Sequence, residues 1–257
     1  MKSSIQRCGA MACFAFLIGQ DGRAQVVREW TSADGRTLQG AYLEGDEEKV
    51  KLRKRGGTVV EIPLKQLSKE DRELVLEKVE AEQERAREAN GELEKEKLLA
   101  GPFTYQLSDG HENWPEDRKK RIVDAMEAAV IYMNKHGKFK KHVYANNSPG
   151  TPTADANFDG WINWGGSISR RVALHEFSHT LGVGTHPNWR KNIKDGKWTG
   201  EHALTQLREF DGPDAVLYAD RQHFWPYGLN FDNESSEVND LRFVKMLEAL
   251  RKDMGLE

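Results

Sequence analysis

The chain has 257 residues, of which 38% are hydrophobic and 31% charged, with a formal net charge of -3. No apolar run reaches the roughly 18 residues of a spanning helix, which excludes a polytopic membrane protein, and the near-neutral charge argues against a dedicated nucleic-acid binder. Seven Trp, ten Phe and six Tyr give more large apolar surface than a mainly disordered chain carries.

Residues 1–24 have the pattern of an export signal. Lys2 and Arg7 are a short basic region, Cys8 to Ile18 is apolar, and Gly22-Arg23-Ala24 places small residues where a signal peptidase reads. Cleavage after Ala24 is expected, giving a secreted or envelope protein without a transmembrane segment. Both cysteines, Cys8 and Cys13, would leave with the signal, so disulfides and Cys-ligated zinc are not expected.

Residues 25–76 read as a small β domain. Turn signals at Asp34-Gly35, Glu44-Gly45-Asp46 and Gly56-Gly57 separate short β-rich runs. In Lys49-Val50-Lys51-Leu52-Arg53 the alternation turns Val50 and Leu52 inward. Four or five strands in so few residues suggest a small closed barrel, and Ser68 then offers an N-cap for a helix. The order Arg28-Glu29-Trp30-Thr31, Asp34-Gly35-Arg36, Val50-Lys51-Leu52 and Pro63-Leu64-Lys65-Gln66-Leu67-Ser68-Lys69-Glu70-Asp71 resembles the Sla-type homology domain, an SH3-like barrel. That resemblance implies a module for a peptide or wall ligand; a structural spacer is the plainer alternative.

Residues 77–100 are a charged linker, with 13 of 24 side chains ionisable and both signs mixed. Its Glu, Arg, Lys and Ala content predicts a solvated helix, interrupted near Asn90-Gly91. Sustained apolar heptads for a coiled coil are absent.

Residues 101–257 form the main domain. Pro115 to His136 predicts an amphipathic helix capped by Asn113, with Ile122, Met126, Ala129, Val130 and Met133 on its apolar face. Lys141 to Ala145 reads as one strand and Ala156 to Trp164 as a second. Helices follow over about Ser169 to Leu181 and Glu237 to Met254, with a long irregular stretch between. The fold class is therefore α+β: an α/β catalytic domain preceded by the small barrel and the charged helix.

The chemistry lies in Val172-Ala173-Leu174-His175-Glu176-Phe177-Ser178-His179-Thr180-Leu181-Gly182. Histidines at i and i+4 project from one helix face, so two imidazoles reach one metal ion. Glu176 is angled off that row, where it can take a proton from water without being a ligand. Leu174, Phe177 and Leu181 make the opposite face apolar, and Gly182 can stop the helix. The plain alternative is a buried helix with coincidental histidines.

HExxH followed by a glycine turn resembles the metzincin-type zinc metallopeptidases, whose longer signature returns a third His to the metal. Here His186 stands one residue late, and Gly184 is expected to absorb the difference. The Met of the family's tight turn is missing, and His223-Phe224-Trp225-Pro226-Tyr227-Gly228-Leu229-Asn230 is the candidate for that place. His186 and His223 are both candidates for the third ligand, with His202 and Asp220 as outsiders. The resemblance implies Zn(2+), held by His175, His179 and a third His, a protein or peptide substrate, and a role for Tyr227 toward the oxyanion or the metal. It also implies a free strand edge before the metal helix that receives substrate, with Trp161 and Trp164 bordering the cleft. Asp155-Ala156-Asn157-Phe158-Asp159-Gly160 imitates the opening of a calcium loop, but Gly166 stands where a bidentate Glu is needed. His111, His136 and His142 lack partners at ligand spacing and read as surface or packing residues.

The reading is an exported zinc metallopeptidase. Its rivals are an inactive metal- or peptide-binding protein working through the front module, and a hydrolase of something other than peptide.

Overall fold

The computed structural model describes residues 16–18 and 24–256. The expected export signal, with both cysteines, lies outside the described residues except for Phe16–Ile18 and Ala24. No helix among the described residues is long and apolar enough to cross a membrane. Among the described residues the architecture is α+β, with three sheets and five α-helices, and the chain divides into two compact units, Met1–Gly91 and Glu92–Glu257.

The first unit is a five-stranded antiparallel meander, β1 (Phe16–Ile18), β2 (Ala24–Thr31), β3 (Thr37–Gly45), β4 (Lys49–Lys54) and β5 (Val59–Pro63), in that order. Trp30, Val50, Leu52, Leu64 and Leu67 form its core with Val75 and Val79 of helix α1 (Lys69–Leu99). Trp30 satisfies its indole N–H on the Gly40 carbonyl at 3.0 Å, as a buried Trp must. The expected closed barrel is corrected: among the described residues the sheet stays open. Pro63 ends β5 and removes a ladder donor, the chain turns into a short 3-10 segment, and an isolated Ser32–Leu67 bridge then links the end of β2 to the chain beyond β5.

Asp71 explains the end of the Sla-like pattern. Its buried carboxylate accepts from Arg28 at 2.6 Å and from the Thr31 amide at 2.5 Å, tying α1 to β2. Ser68 Oγ accepts from the Asp71 amide and caps the helix as expected. α1 then continues through Asn90 and Gly91 without a break, which corrects the expected interruption. One exposed glycine costs a helix only about 1 kcal/mol, and twenty-odd strong helix formers around it outweigh that.

In the second unit a sheet of order β6 (Phe103–Leu107), β7 (Lys141–Asn147), β9 (Trp161–Trp164) and β8 (Ala154–Ala156) carries helices α2 (Glu116–His136) and α3 (Arg170–Thr180). β6, β7 and β9 are parallel, and β8 is an antiparallel edge. The apolar face read for α2 is buried as expected, but Asn113 does not cap it: Asn113 lies in a 3-10 turn and Pro115 holds the cap position. The single strand expected over 156–164 is a hairpin instead. Asn157 Oδ1 accepts from the Gly160 and Trp161 amides and Gly160 takes φ +105, which reverses the chain.

The stretch read as irregular holds a second small sheet, β10 (Ile193–Lys194), β11 (Lys197–Trp198), β12 (Tyr218–Ala219) and β13 (Phe224–Trp225), and helix α4 (Glu201–Asp211). α4 is capped from a distance: Asp253, at the end of α5 (Glu237–Asp253), accepts from the His202 and Ala203 amides. With its cap on another element, α4 has no local start signal. The core of this unit joins Phe103, Met126, Val143, Ile162, Phe177, Phe243 and Leu247.

Candidate metal centre

α3 begins at Ser169, whose Oγ accepts from the Val172 amide, and ends where Gly182 takes φ +116. Its HExxH row therefore lies within one regular helix, and His175, Glu176 and His179 are 9%, 3% and 8% exposed. The i,i+4 spacing puts His175 Nε2 3.2 Å from His179 Nε2.

Each ring is fixed by its other nitrogen. His175 Nδ1 donates to the Gly228 carbonyl at 2.9 Å and His179 Nδ1 to the Val183 carbonyl at 2.8 Å. A carbonyl only accepts, so both Nδ1 atoms carry the proton and both Nε2 atoms are lone pairs. Burial, helped by the neighbouring His179, pushes the His175 pKa down to about 3, and burial also lowers that of His179. Two neutral imidazole acceptors facing one another are a donor set that fits a zinc ion.

The third imidazole is His223. One nitrogen from each of His175, His179 and His223 lies within 4.8 Å of the others, and the half-buried His223 ring stacks at 5.4 Å from that of His175. His223 closes the β12–β13 hairpin, where Asp220 Oδ1 accepts from the Gln222 and His223 amides. Asp220 thus orders the segment, and its carboxylate also stands 3.7 Å from His223 Nδ1.

His186 does not join the group: it packs on Phe158 and its Nδ1 accepts from the Asn188 amide. The expected role of Gly184 changes with it. At φ +68, a Cβ on Gly184 would stand 2.5 Å from the Gln222 carbonyl oxygen, so this glycine makes room for the His223 segment. His202 is on α4 and donates its amide to Asp253. His111, His136 and His142 contact Ser108, Tyr132 and Thr104.

Residues 20–84 match the family SLA1 homology domain 1, SHD1. The match runs from before β2 into α1 and takes in Asp71. No curated protein and no solved structure matches the chain. The three-histidine group lies outside the SHD1 match.

Glu176 stands beside the histidines with Oε2 buried and without a hydrogen-bond partner among the described residues. Burial, and then the charge of Asp155, push its pKa up to about 8. Asp155 belongs to edge strand β8 and accepts from Asn163, while Asn157 spends its side-chain oxygen on the β8–β9 turn. The calcium-like loop thus has two of its oxygens engaged in holding the hairpin.

Trp161 is 41% exposed and stacks on Tyr144, whereas Trp164 is fully buried, so only one of the two expected cleft tryptophans reaches solvent. Side chains three apart on a strand point to opposite faces. Tyr227 is also differently employed than expected: its hydroxyl donates to Asp211 at 2.7 Å and accepts from Arg242. Burial and the Asp211 carboxylate raise its pKa and keep it protonated. The Gly228 and Val183 carbonyls, which orient the two buried rings, left no mark in the sequence, because any residue offers a carbonyl.

Proposed function

We propose that the second unit is a zinc-dependent metallopeptidase centre of metzincin-like type, in an exported protein. The observation that carries this reading is the pair of Nε2 lone pairs, 3.2 Å apart in neutral buried rings beside a partnerless Glu176 oxygen. His175, His179 and His223 would hold the ion. Zinc bound there supplies a Lewis acid that polarises a carbonyl and makes water acidic near neutral pH.

The remaining work falls to this chain's side chains. Glu176, kept basic by burial and by Asp155, takes the proton of the attacking water and passes it to the departing amine nitrogen as the C–N bond breaks. The Gly228 and Val183 carbonyls keep the two rings in the tautomer that offers Nε2. Edge strand β8 beside α3 offers backbone groups to an extended peptide.

The test is a peptide-library digestion by residues 25–257, compared with Glu176→Gln, with zinc measured in both. Cleavage that falls about 10²–10⁴-fold in the variant while one zinc per chain is retained supports the reading. An equally active variant, or a wild type that takes no zinc, defeats it. The SHD1 match favours a second, separable role for the first unit, the binding of a peptide or wall ligand. Deleting residues 25–76 would then remove retention on that ligand and spare peptide cleavage.

A further inference from the structure

The turn that follows β13 is held in a conformation its residues do not favour. Tyr227 takes φ +67 and Leu229 φ +53, both in the left-handed region that costs a side-chain-bearing residue free energy. Between them, Gly228 lies so close to Phe224 that a Cβ would stand 2.2 Å from its carbonyl oxygen. A turn of this kind persists only where its surroundings hold it, and two handles do so.

One handle comes from the metal helix itself. Arg171 of α3 donates to the Leu229 and Asn230 carbonyls at 3.1 and 3.4 Å and pairs with Asp232. The other comes from α4 and α5. The Tyr227 hydroxyl donates to Asp211 of α4, Arg242 of α5 bonds both Asp211 and that hydroxyl, and the Arg242 guanidinium lies 5.1 Å from the Tyr227 ring centre. Phe210 meets the Tyr227 ring edge-on, with ring centres 5.9 Å apart, and the same guanidinium lies 5.1 Å from its ring centre.

We propose that Tyr227 is a positioning residue of the three-histidine centre: the Asp211–Arg242 grip on its hydroxyl sets the turn that carries the Gly228 carbonyl to His175 Nδ1. The hydroxyl is then spent on two partners away from the histidines and takes no part in the chemistry. Its effect reaches the centre through one peptide unit, since Gly228 follows Tyr227 directly. A misplaced Gly228 carbonyl would free the His175 ring to rotate or change tautomer, and the lone pair offered at Nε2 would be lost. The functional meaning rests on the metal reading above, whereas the mechanical link does not.

The test uses the full chain with ¹⁵N-labelled histidine, as wild type, Tyr227→Phe and Asp211→Asn. Both substitutions keep the side-chain shape, so two independent variants sample the grip in a folded protein. In the metal-free protein the His175 Nδ1 proton is expected to exchange with solvent about tenfold faster in each variant, and Zn(2+) affinity by chelator competition to fall about tenfold. An exchange rate unchanged in both variants overturns the proposal whatever zinc does. Unchanged zinc affinity with turnover lost also overturns it, by returning the hydroxyl to the chemistry. Faster exchange in variants of a wild type that takes no zinc supports the link and defeats the metallopeptidase reading alone.

Discussion

His175 and His179 face each other through two unprotonated Nε2 atoms 3.2 Å apart, and neither ring can supply a proton to the other. Both Nδ1 protons are committed to the Gly228 and Val183 carbonyls, and burial opposes a charged ring. Two acceptors in contact are repulsive, and a cation bound between them, as proposed above, would relieve that repulsion. His223, on a distant hairpin, completes the group.

The third ligand can be assigned by substitution. Purified wild type and His186→Ala are expected to bind one zinc per chain, and His223→Ala to lose it. At a free zinc concentration of 100 times Kd, the wild type should gain about 2.7 kcal/mol of stability, which His223→Ala lacks. Loss of zinc in His186→Ala with retention in His223→Ala would reverse the assignment.

Gly184 should tolerate no side chain. Its positive φ and the 2.5 Å approach to Gln222 mean that alanine forces the β12–β13 hairpin to move. Gly184→Ala is expected to cost about 3 kcal/mol in urea denaturation and to weaken zinc binding, because His223 sits on the displaced segment. A variant as stable as wild type with full zinc affinity would show that this contact does not place His223.

In the metal-free protein Glu176 makes stability fall as pH rises. Its native pKa of about 8 lies above the ordinary 4.5, so between these values the folded state holds a proton that the unfolded state has released. The carboxyl therefore contributes least above pH 8, where it is charged and buried. Glu176→Gln should be more stabilising at pH 8 than at pH 5, by a few kcal/mol, on the order of 3, in paired denaturation curves without metal. A difference that does not change with pH would remove burial as the controlling effect.

Asp71 anchors the first unit. Asp71→Ala removes the acceptor of the Arg28 guanidinium and the Thr31 amide, and should destabilise that unit by about 2–3 kcal/mol. Thermal unfolding followed by Trp30 fluorescence in the chain with its other tryptophans replaced by Phe would report it. A shift no larger than that of an exposed control such as Glu73→Ala would deny the carboxylate this role.

Much of this was legible in the residues because it is local. Period-2 alternation turned Val50 and Leu52 inward, the 3–4 spacing buried Ile122, Met126 and Met133, and i,i+4 spacing brought His175 to His179. Where the cause lay elsewhere in the chain, local reading fell short. α4 takes its cap from Asp253, some fifty residues further along the chain. Trp164 faces the core because the strand's parity, set by β7 and the helices beneath, left it no other side.

The sequence by itself determined helix α3, its two histidines and its carboxylate, since one turn of helix fixes their spacing wherever the helix is put. Only the tertiary structure decided which histidine completes the group. That choice depends on two backbones meeting at Gly184 and Gln222, and on a turn held open by Tyr227, Asp211 and Arg242. Contacts between segments so far apart arise from packing the whole unit, and no window of neighbouring residues encodes them.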